Sequence, residues 1–160
     1  MAKKQKTNVM RLLEQAEIEH REYEYDVDDG LIDAKSIARK IGETEEQVFK
    51  TLVTQNEKHE YFVFVIPANS ELDLKKAASA SGQKSIEMIP MKELFPLTGY
   101  VHGGCSPIGM KKQFPTYLDE TAVLFDYICF SGGKIGTNVG VNPEQLAAFI
   151  PADFADLTRS

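Results

Sequence analysis

Tryptophan is absent from this chain and cysteine is scarce. The two cysteines, Cys105 and Cys129, stand far apart, with no Cys-x-x-Cys pair and no Cys/His cluster. That excludes a disulfide framework and a structural zinc site, and it makes a reducing, cytoplasmic setting the expectation. The three histidines, His20, His59 and His102, have no metal-ligand spacing, and no metal is expected. No Gly-x-Ser-x-Gly elbow and no His-Glu-x-x-His run occurs, so standard hydrolase machinery is missing. Long apolar runs are lacking too. Stretches such as Phe62–Ile66 are too short for a membrane span. The Met1–Lys6 start is basic, but Asn8, Arg11 and Glu14 interrupt the next stretch, so no secretory signal is expected. An excess of basic charge is also missing: 18 Lys and Arg face 24 Asp and Glu, a net charge of −6. This excludes a surface that grips nucleic acid by charge alone, although a local basic lip remains open. No helix-turn-helix with a basic recognition helix is present, so DNA is not an expected partner.

What is present suits a folded chain. The 160 residues, 42% hydrophobic and 26% charged, predict one domain over 1–160 that buries about 70% of its unfolded surface. Thr7 is placed to cap a helix whose Val9, Leu12, Leu13 and Ala16 share a face. His20–Tyr25 alternates as a strand, and Val27–Leu31 reads as a turn. Asp33 caps a helix with Ile37, Ala38 and Ile41 inward and Gly42 as its stop. Thr44 and Gln47 have capping-box spacing and predict a short helix. Tyr61–Ile66 reads as a central strand covered on both faces. Asp73–Ser81 is a helix closed by Gly82, and Ser85–Met88 and Gly99–His102 read as strands. Further strands are predicted at Tyr117–Asp119, Tyr127–Ser131 and Thr137–Val141. A last helix opens with Asn142, Pro143 and Gln145. The sum is a mixed α/β (α+β) fold: a twisted mixed β-sheet or partly closed barrel surrounded by helices.

Three places have the composition of a site. Lys50 lies between Val48-Phe49 and Leu52-Val53, in a segment that otherwise belongs inside. It either snorkels, with its stem on apolar surface, or turns its ammonium into a cleft to meet an anion or a polarised carbonyl. Gly103-Gly104-Cys105-Ser106-Pro107-Ile108-Gly109 packs three glycines and a proline into seven residues, a loop whose N–H groups can cradle an anion or serve only as a turn. Gly104 and Gly109 have phosphate-loop spacing, but Met110 and Lys111 stand where Lys and Ser/Thr are required, and no cofactor is expected. Cys105 reads as a small buried thiol rather than a nucleophile. Ser131-Gly132-Gly133-Lys134 is a second glycine turn, in which Ser131 either binds a ligand or merely closes a hairpin. Lys75-Lys76 and Lys111-Lys112, with Lys84 and Lys134, are solvated faces or a basic rim for a phosphate backbone.

In order along the chain, Tyr25, Phe49-Lys50-Thr51-Leu52, Leu72-Asp73-Leu74-Lys75-Lys76, Thr98-Gly99-Tyr100, the Gly103–Gly109 loop, Lys111-Lys112 and Ser131-Gly132-Gly133-Lys134 resemble the YbaK/EbsC family, from about Val9 to Leu157. The resemblance implies a free-standing aminoacyl-tRNA deacylase, similar to the insertion domain of bacterial prolyl-tRNA synthetase, that removes cysteine from proline tRNA. In it the cysteine thiol attacks its own ester, so the activity is a hydrolase or a lyase by classification. It further implies Lys50 as the cation that anchors the ester or terminal nucleotide. Gly103 and Gly104 would orient the carbonyl by their backbone. Tyr25, Ser106, Pro107, Ser131 and Asn138 would bind substrate. Aminoacyl-tRNA is the implied partner, with prolyl-tRNA synthetase as a second. Asn138 departs from the pattern, since an Asp is expected there. The alternatives are a deacylase for another small amino acid, alanine or serine, and a non-catalytic module that binds tRNA or a synthetase.

Overall fold

A computed structural model describes residues 6–159. The basic start, except for Lys6, lies outside the described residues. Helix α1 (Asn8–Gln15) begins where the Thr7 hydroxyl accepts the Met10 N–H at 3.2 Å, and it buries Val9, Met10 and Leu13. Helices α2 (Ala34–Ile41) and α3 (Leu74–Ser81) share one design. An aspartate, Asp33 or Asp73, caps the first turn, and a glycine, Gly42 or Gly82, ends the helix at φ 75° or 71°. The same logic opens α5 (Pro143–Phe149), where the Asn142 side chain accepts from Glu144 and Gln145.

The strands are β1 (His20–Glu24), β2 (Phe49–Gln55), β3 (Tyr61–Pro67), β4 (Glu87–Met88), β5 (Thr116–Asp119), β6 (Ile128–Ser131), β7 (Thr137–Val141) and β8 (Ala152–Ala155). They divide into two open sheets rather than closing into a barrel. One is antiparallel, ordered β1-β7-β6. The other is mixed, ordered β4-β2-β3-β5-β8, with β3-β5 and β5-β8 parallel. β3 is central, as its continuous apolar run predicts. Val63 and Val65 enter one core with α1 residues, and Phe62, Phe64 and Ile66 enter a second with α3 residues. The sheets meet at one seam, a parallel bridge between Val48 and Cys129, where the Cys129 N–H donates to the Gln47 carbonyl at 2.9 Å. No helix among the described residues is long and apolar enough to cross a membrane.

Several sequence readings are corrected. No helix forms after Thr44. Its carbonyl takes the N–H groups of Gln47 and Val48 in a single turn, and the Gln47 amide, needed for a capping box, donates instead to the Tyr127 carbonyl at 2.9 Å. Ser85–Met88 contributes only the two residues of β4. Gly99–His102 is not a strand: a short helix α4 (Leu94–Thr98) ends at Gly99 with φ 84°, and Gly103 at φ 89° turns the chain again. β8 and α4 carry no pattern that announced them.

The buried carboxylate of Asp119 fastens the end of β5. One oxygen accepts the Leu157 N–H at 3.0 Å, and the other accepts the Thr121 hydroxyl at 2.6 Å and its N–H at 3.2 Å. Asp119→Ala leaves the buried Leu157 amide unpartnered and is expected to cost about 3 kcal/mol, because hydrogen bonds to charged groups are the strong ones. The measurement is the urea midpoint at constant m-value; a loss below about 0.5 kcal/mol, the size of an ordinary surface change, refutes this role.

Candidate active site

The seam determines what meets what. Because the Val48–Cys129 bridge is parallel, the residues two places further along each strand, Lys50 and Ser131, travel together. Ser131 is in turn the register partner of Asn138 across β6 and β7. All three border a cleft of about 390 Å³ that runs along residues 48–52 and is closed by the first turn of α2 and by Gly103.

The two glycine-rich stretches touch at this cleft. Gly104 is buried against the turn after Ser131, and a Cβ added there would lie 3.1 Å from the Ile135 nitrogen. Gly103 lies against Ile32, whose Cδ1 would be 2.5 Å from an added Cβ. Only glycine allows both approaches.

Four of the residues expected from sequence therefore come together: Lys50, Gly103, Ser131 and Asn138. The other four stand behind them. Gly104 does not border the cleft, and its N–H is spent on the Val101 carbonyl at 2.9 Å, so it offers no donor to a substrate. The Gly103 N–H has no partner among the described residues. Ser106 and Pro107 are buried inside the loop, where the Ser106 hydroxyl accepts the Ile108 N–H at 3.3 Å and the Tyr100 hydroxyl donates to the Ile108 carbonyl. Their work is to stiffen the loop. Tyr25 does not border the cleft either; its N–H donates to the Gly136 carbonyl at 3.0 Å and ties the end of β1 to the β6–β7 turn.

The cleft also holds residues that the sequence did not single out. Thr51 is one; strand alternation sets it opposite Lys50, yet the cleft borders both. Its Oγ1 and the Asn138 Oδ1 are buried polar atoms with no hydrogen-bond partner. Asp33 is another: it was legible as a helix cap, and its carboxyl is held low by the Ser36 hydroxyl at 2.6 Å while it also borders the cleft. Lys35, in the same helical turn, lies at the cleft as well.

Lys50 is half-buried, and its ammonium donates to the Ala68 carbonyl at 3.3 Å. Burial pushes its pKa below the ordinary lysine value. The neighbouring charge of Lys35 pushes the same way, and Glu71 acts against them. Cys105 borders the cleft, but burial pushes its thiol up to about 12, so it is not a thiolate near neutral pH. A more polar depression of about 460 Å³ lies beside Arg21 and Tyr127, and none of the candidate residues borders it. Glu14, His20 and Glu22 bring ligand-capable atoms within 4.8 Å of one another, away from the cleft lining, and Lys6 already pairs with both glutamates.

Residues 30–149 match the model of the aminoacyl-tRNA editing domain. The chain belongs to this family. It is 48% identical over 161 residues to an Enterococcus faecalis protein named "Putative Cys-tRNA(Pro)/Cys-tRNA(Cys) deacylase EbsC", covering 99% of this chain and 98% of that one. It is 25% identical over 112 residues to Bacillus subtilis YwhH, covering 70% and 71%. Among solved structures, one described as "a putative trans-editing enzyme for prolyl tRNA synthetase" superposes with a TM-score of 0.81 at 27% identity, covering 96% of this chain and 99% of the other. The protein APE2540 shares the fold at a TM-score of 0.87 and 19% identity, covering 96% and 100%. The family and the mixed α/β fold expected from the sequence are thus the ones observed.

Gly104→Ala tests the contact between the loops. The obstacle is a backbone nitrogen, which cannot swing aside, so overpacking is expected to cost about 1–3 kcal/mol. A thermal melt coinciding with wild type would show that the loops do not need this approach.

Proposed function

We propose that this editing-domain protein is an aminoacyl-tRNA deacylase that acts in trans and clears cysteine mischarged on proline tRNA. The observation that carries the reading is the convergence of Lys50, Gly103, Ser131 and Asn138 on a cleft whose own thiol is held neutral. The cleft has donors, acceptors and a cation, and it has no activated protein nucleophile among the described residues. A site of this kind suits a substrate that brings its own nucleophile. Cysteine does so, and its similarity in size to proline explains why a synthetase pocket fails to exclude it and a second sieve is needed. The name of the Enterococcus relative favours the same substrate. An apolar core that gathers residues from Val9 to Phe154 supports the whole chain working as one editing domain.

In the mechanism we favour, the substrate sulfur attacks the ester carbonyl carbon. The C–S bond forms as the ester C–O bond breaks, the thiol proton passes to the departing ribose oxygen, and a cyclic thiolactone leaves with free tRNA. The protein supplies orientation and electrostatics. The Gly103 N–H serves as donor to the carbonyl oxygen, on which charge develops. The Ser131 hydroxyl oxygen accepts from Gly133 at 3.0 Å, which leaves its proton to donate to substrate. The Asn138 Oδ1 and Thr51 Oγ1, buried and unpartnered, accept from the substrate ammonium. Asn138 thus recognises that group as a neutral acceptor, where the resemblance leads one to expect a carboxylate. Lys50 anchors the tRNA end. The net charge of −6 fits a protein that gains most of its hold on tRNA from a partner, for which prolyl-tRNA synthetase is the candidate.

Purified protein is expected to release cysteine from Cys-tRNA(Pro), and Lys50→Ala to slow release about a hundredfold, the scale of losing one key electrostatic contact. Failure of the folded wild-type protein to deacylate any mischarged proline tRNA refutes the reading. Equal rates on Ser-tRNA(Pro) and Cys-tRNA(Pro) would instead refute the thiol-assisted step, and faster cleavage of an alanyl or seryl ester would assign that amino acid.

The pH dependence has a fixed sign. The active form of Lys50 is the ammonium, and its pKa is lowered, so the charge is present at neutral pH and is lost at a lower pH than for a free lysine. KM is expected to stay flat near neutrality and to climb as pH rises through this lowered value. Lys50→Arg, whose charge persists, removes the climb. An identical climb in both proteins assigns it to another group.

A further inference from the structure

We propose that Lys35 and Lys50 act as a two-ammonium clamp on a single phosphate, the phosphodiester nearest the aminoacylated end of the tRNA. The proposal rests on the deacylase reading above and adds to it a residue, Lys35, and a ligand group.

Both lysines border the same cleft, and neither makes a salt bridge among the described residues. The ammonium of Lys50 has only the Ala68 carbonyl. Two like charges near each other, one of them half-buried, raise each other's cost, and the lowered pKa of Lys50 records that cost. The carboxylates at hand do not relieve it. Asp33 is engaged by Ser36 through both its oxygens, and Glu71 is paired with Arg159 at 3.0 Å. The placement of Lys35 adds to the excess. It occupies the first turn of α2, where the helix dipole disfavours a cation and favours an anion. Three features therefore ask for an outside anion at one point.

The substrate's chemistry says which anion. In an aminoacyl-tRNA the amino acid's carboxyl group is esterified, so the aminoacyl end carries an ammonium and no negative charge. The only anions near the scissile bond are phosphodiesters. Lys35 and Lys50 repel the ammonium and attract the phosphate. They orient the ester so that the amino group turns toward Thr51 and Asn138, the other polar groups of the cleft.

The test is Lys35→Gln in the full chain, an exposed position where the fold is not at stake. Steady-state deacylation of Cys-tRNA(Pro) is followed against salt and pH. Loss of one phosphate contact is expected to lower the slope of log(kcat/KM) against log salt by about 0.7, the value for a single strand. KM is expected to rise about threefold near physiological salt, the scale of an exposed ion pair. The basic limb of the KM–pH profile is expected to move to higher pH. Of the groups that face Lys50 (Asp33, Lys35, Glu71, His102 and Cys105), only Lys35 has then changed, and its repulsion is gone. An unchanged salt slope overturns the clamp, whatever happens to KM, and so does an unmoved basic limb. Inorganic phosphate separates the anion from the nucleic acid: it is expected to compete with tRNA on wild type more strongly than on the variant, and equal competition overturns the proposal. If wild type cleaves no mischarged tRNA, the deacylase reading fails. The clamp is then decided by the binding of uncharged tRNA(Pro) to both proteins, read by the same salt slope.

Discussion

Two residues of backbone, Gln47 and Val48, belong to both sheets at once, and the site depends on them. The Gln47 carbonyl accepts from Cys129, its side chain donates to the Tyr127 carbonyl, and the Val48 carbonyl accepts from Ala68 at 2.7 Å. These bonds tie the entry of β2 to β6 and to the end of β3. Around them Ala38, Val48, Ala68 and Cys129 form a small apolar cluster from which water is excluded. Polar backbone groups buried in such a place must be paired, so the seam has one register. That register carries Lys50 and Ser131 forward side by side.

Downstream of the seam, the chemistry is one of position. The cleft contains a thiol that burial keeps protonated, two polar atoms without partners, and a cation whose charge burial makes expensive. In an isolated protein each is a cost. A bound aminoacyl ester relieves the last two together, by giving hydrogens to the acceptors and a phosphate to the cation. Groups that are unsatisfied before binding discriminate strongly, because a wrong ligand leaves them unsatisfied afterwards.

The sequence was most legible where one residue type answers one local need. Asp33, Asp73 and Asn142 announced helix starts because an N-cap needs a short side-chain acceptor, and Gly42 and Gly82 announced helix ends because a left-handed residue there excludes most others. It was least legible where tertiary contacts outbid local preference. Gln47 left its capping box for Tyr127. Gly99–His102, extended in composition, was bent by glycines at each side. β8 is a strand only because β5 lies beside it. The site was half-legible for the same reason. Lys50 stood out as a charge among apolar neighbours, and the glycine loops stood out by composition. Thr51 and Lys35 look ordinary in a strand and on a helix, and only the fold shows that both reach the cleft. Conversely Ser106, Pro107 and Gly104 share the motif's composition yet serve as its scaffold.

The contact between Gly104 and Ile135 sets a limit on how the cleft can be remodelled. On that side two stretches of main chain lie against each other with no side chain between them, so no exchange of residues there makes room. On the opposite side Ile32, Ala34 and Ile37 face the cleft with side chains of different bulk. A pocket with one rigid wall and one adjustable wall can be resized from a single direction. Among relatives that share this seam, a shift to a larger or smaller aminoacyl group has its shortest path through α2 and the segment that leads into it.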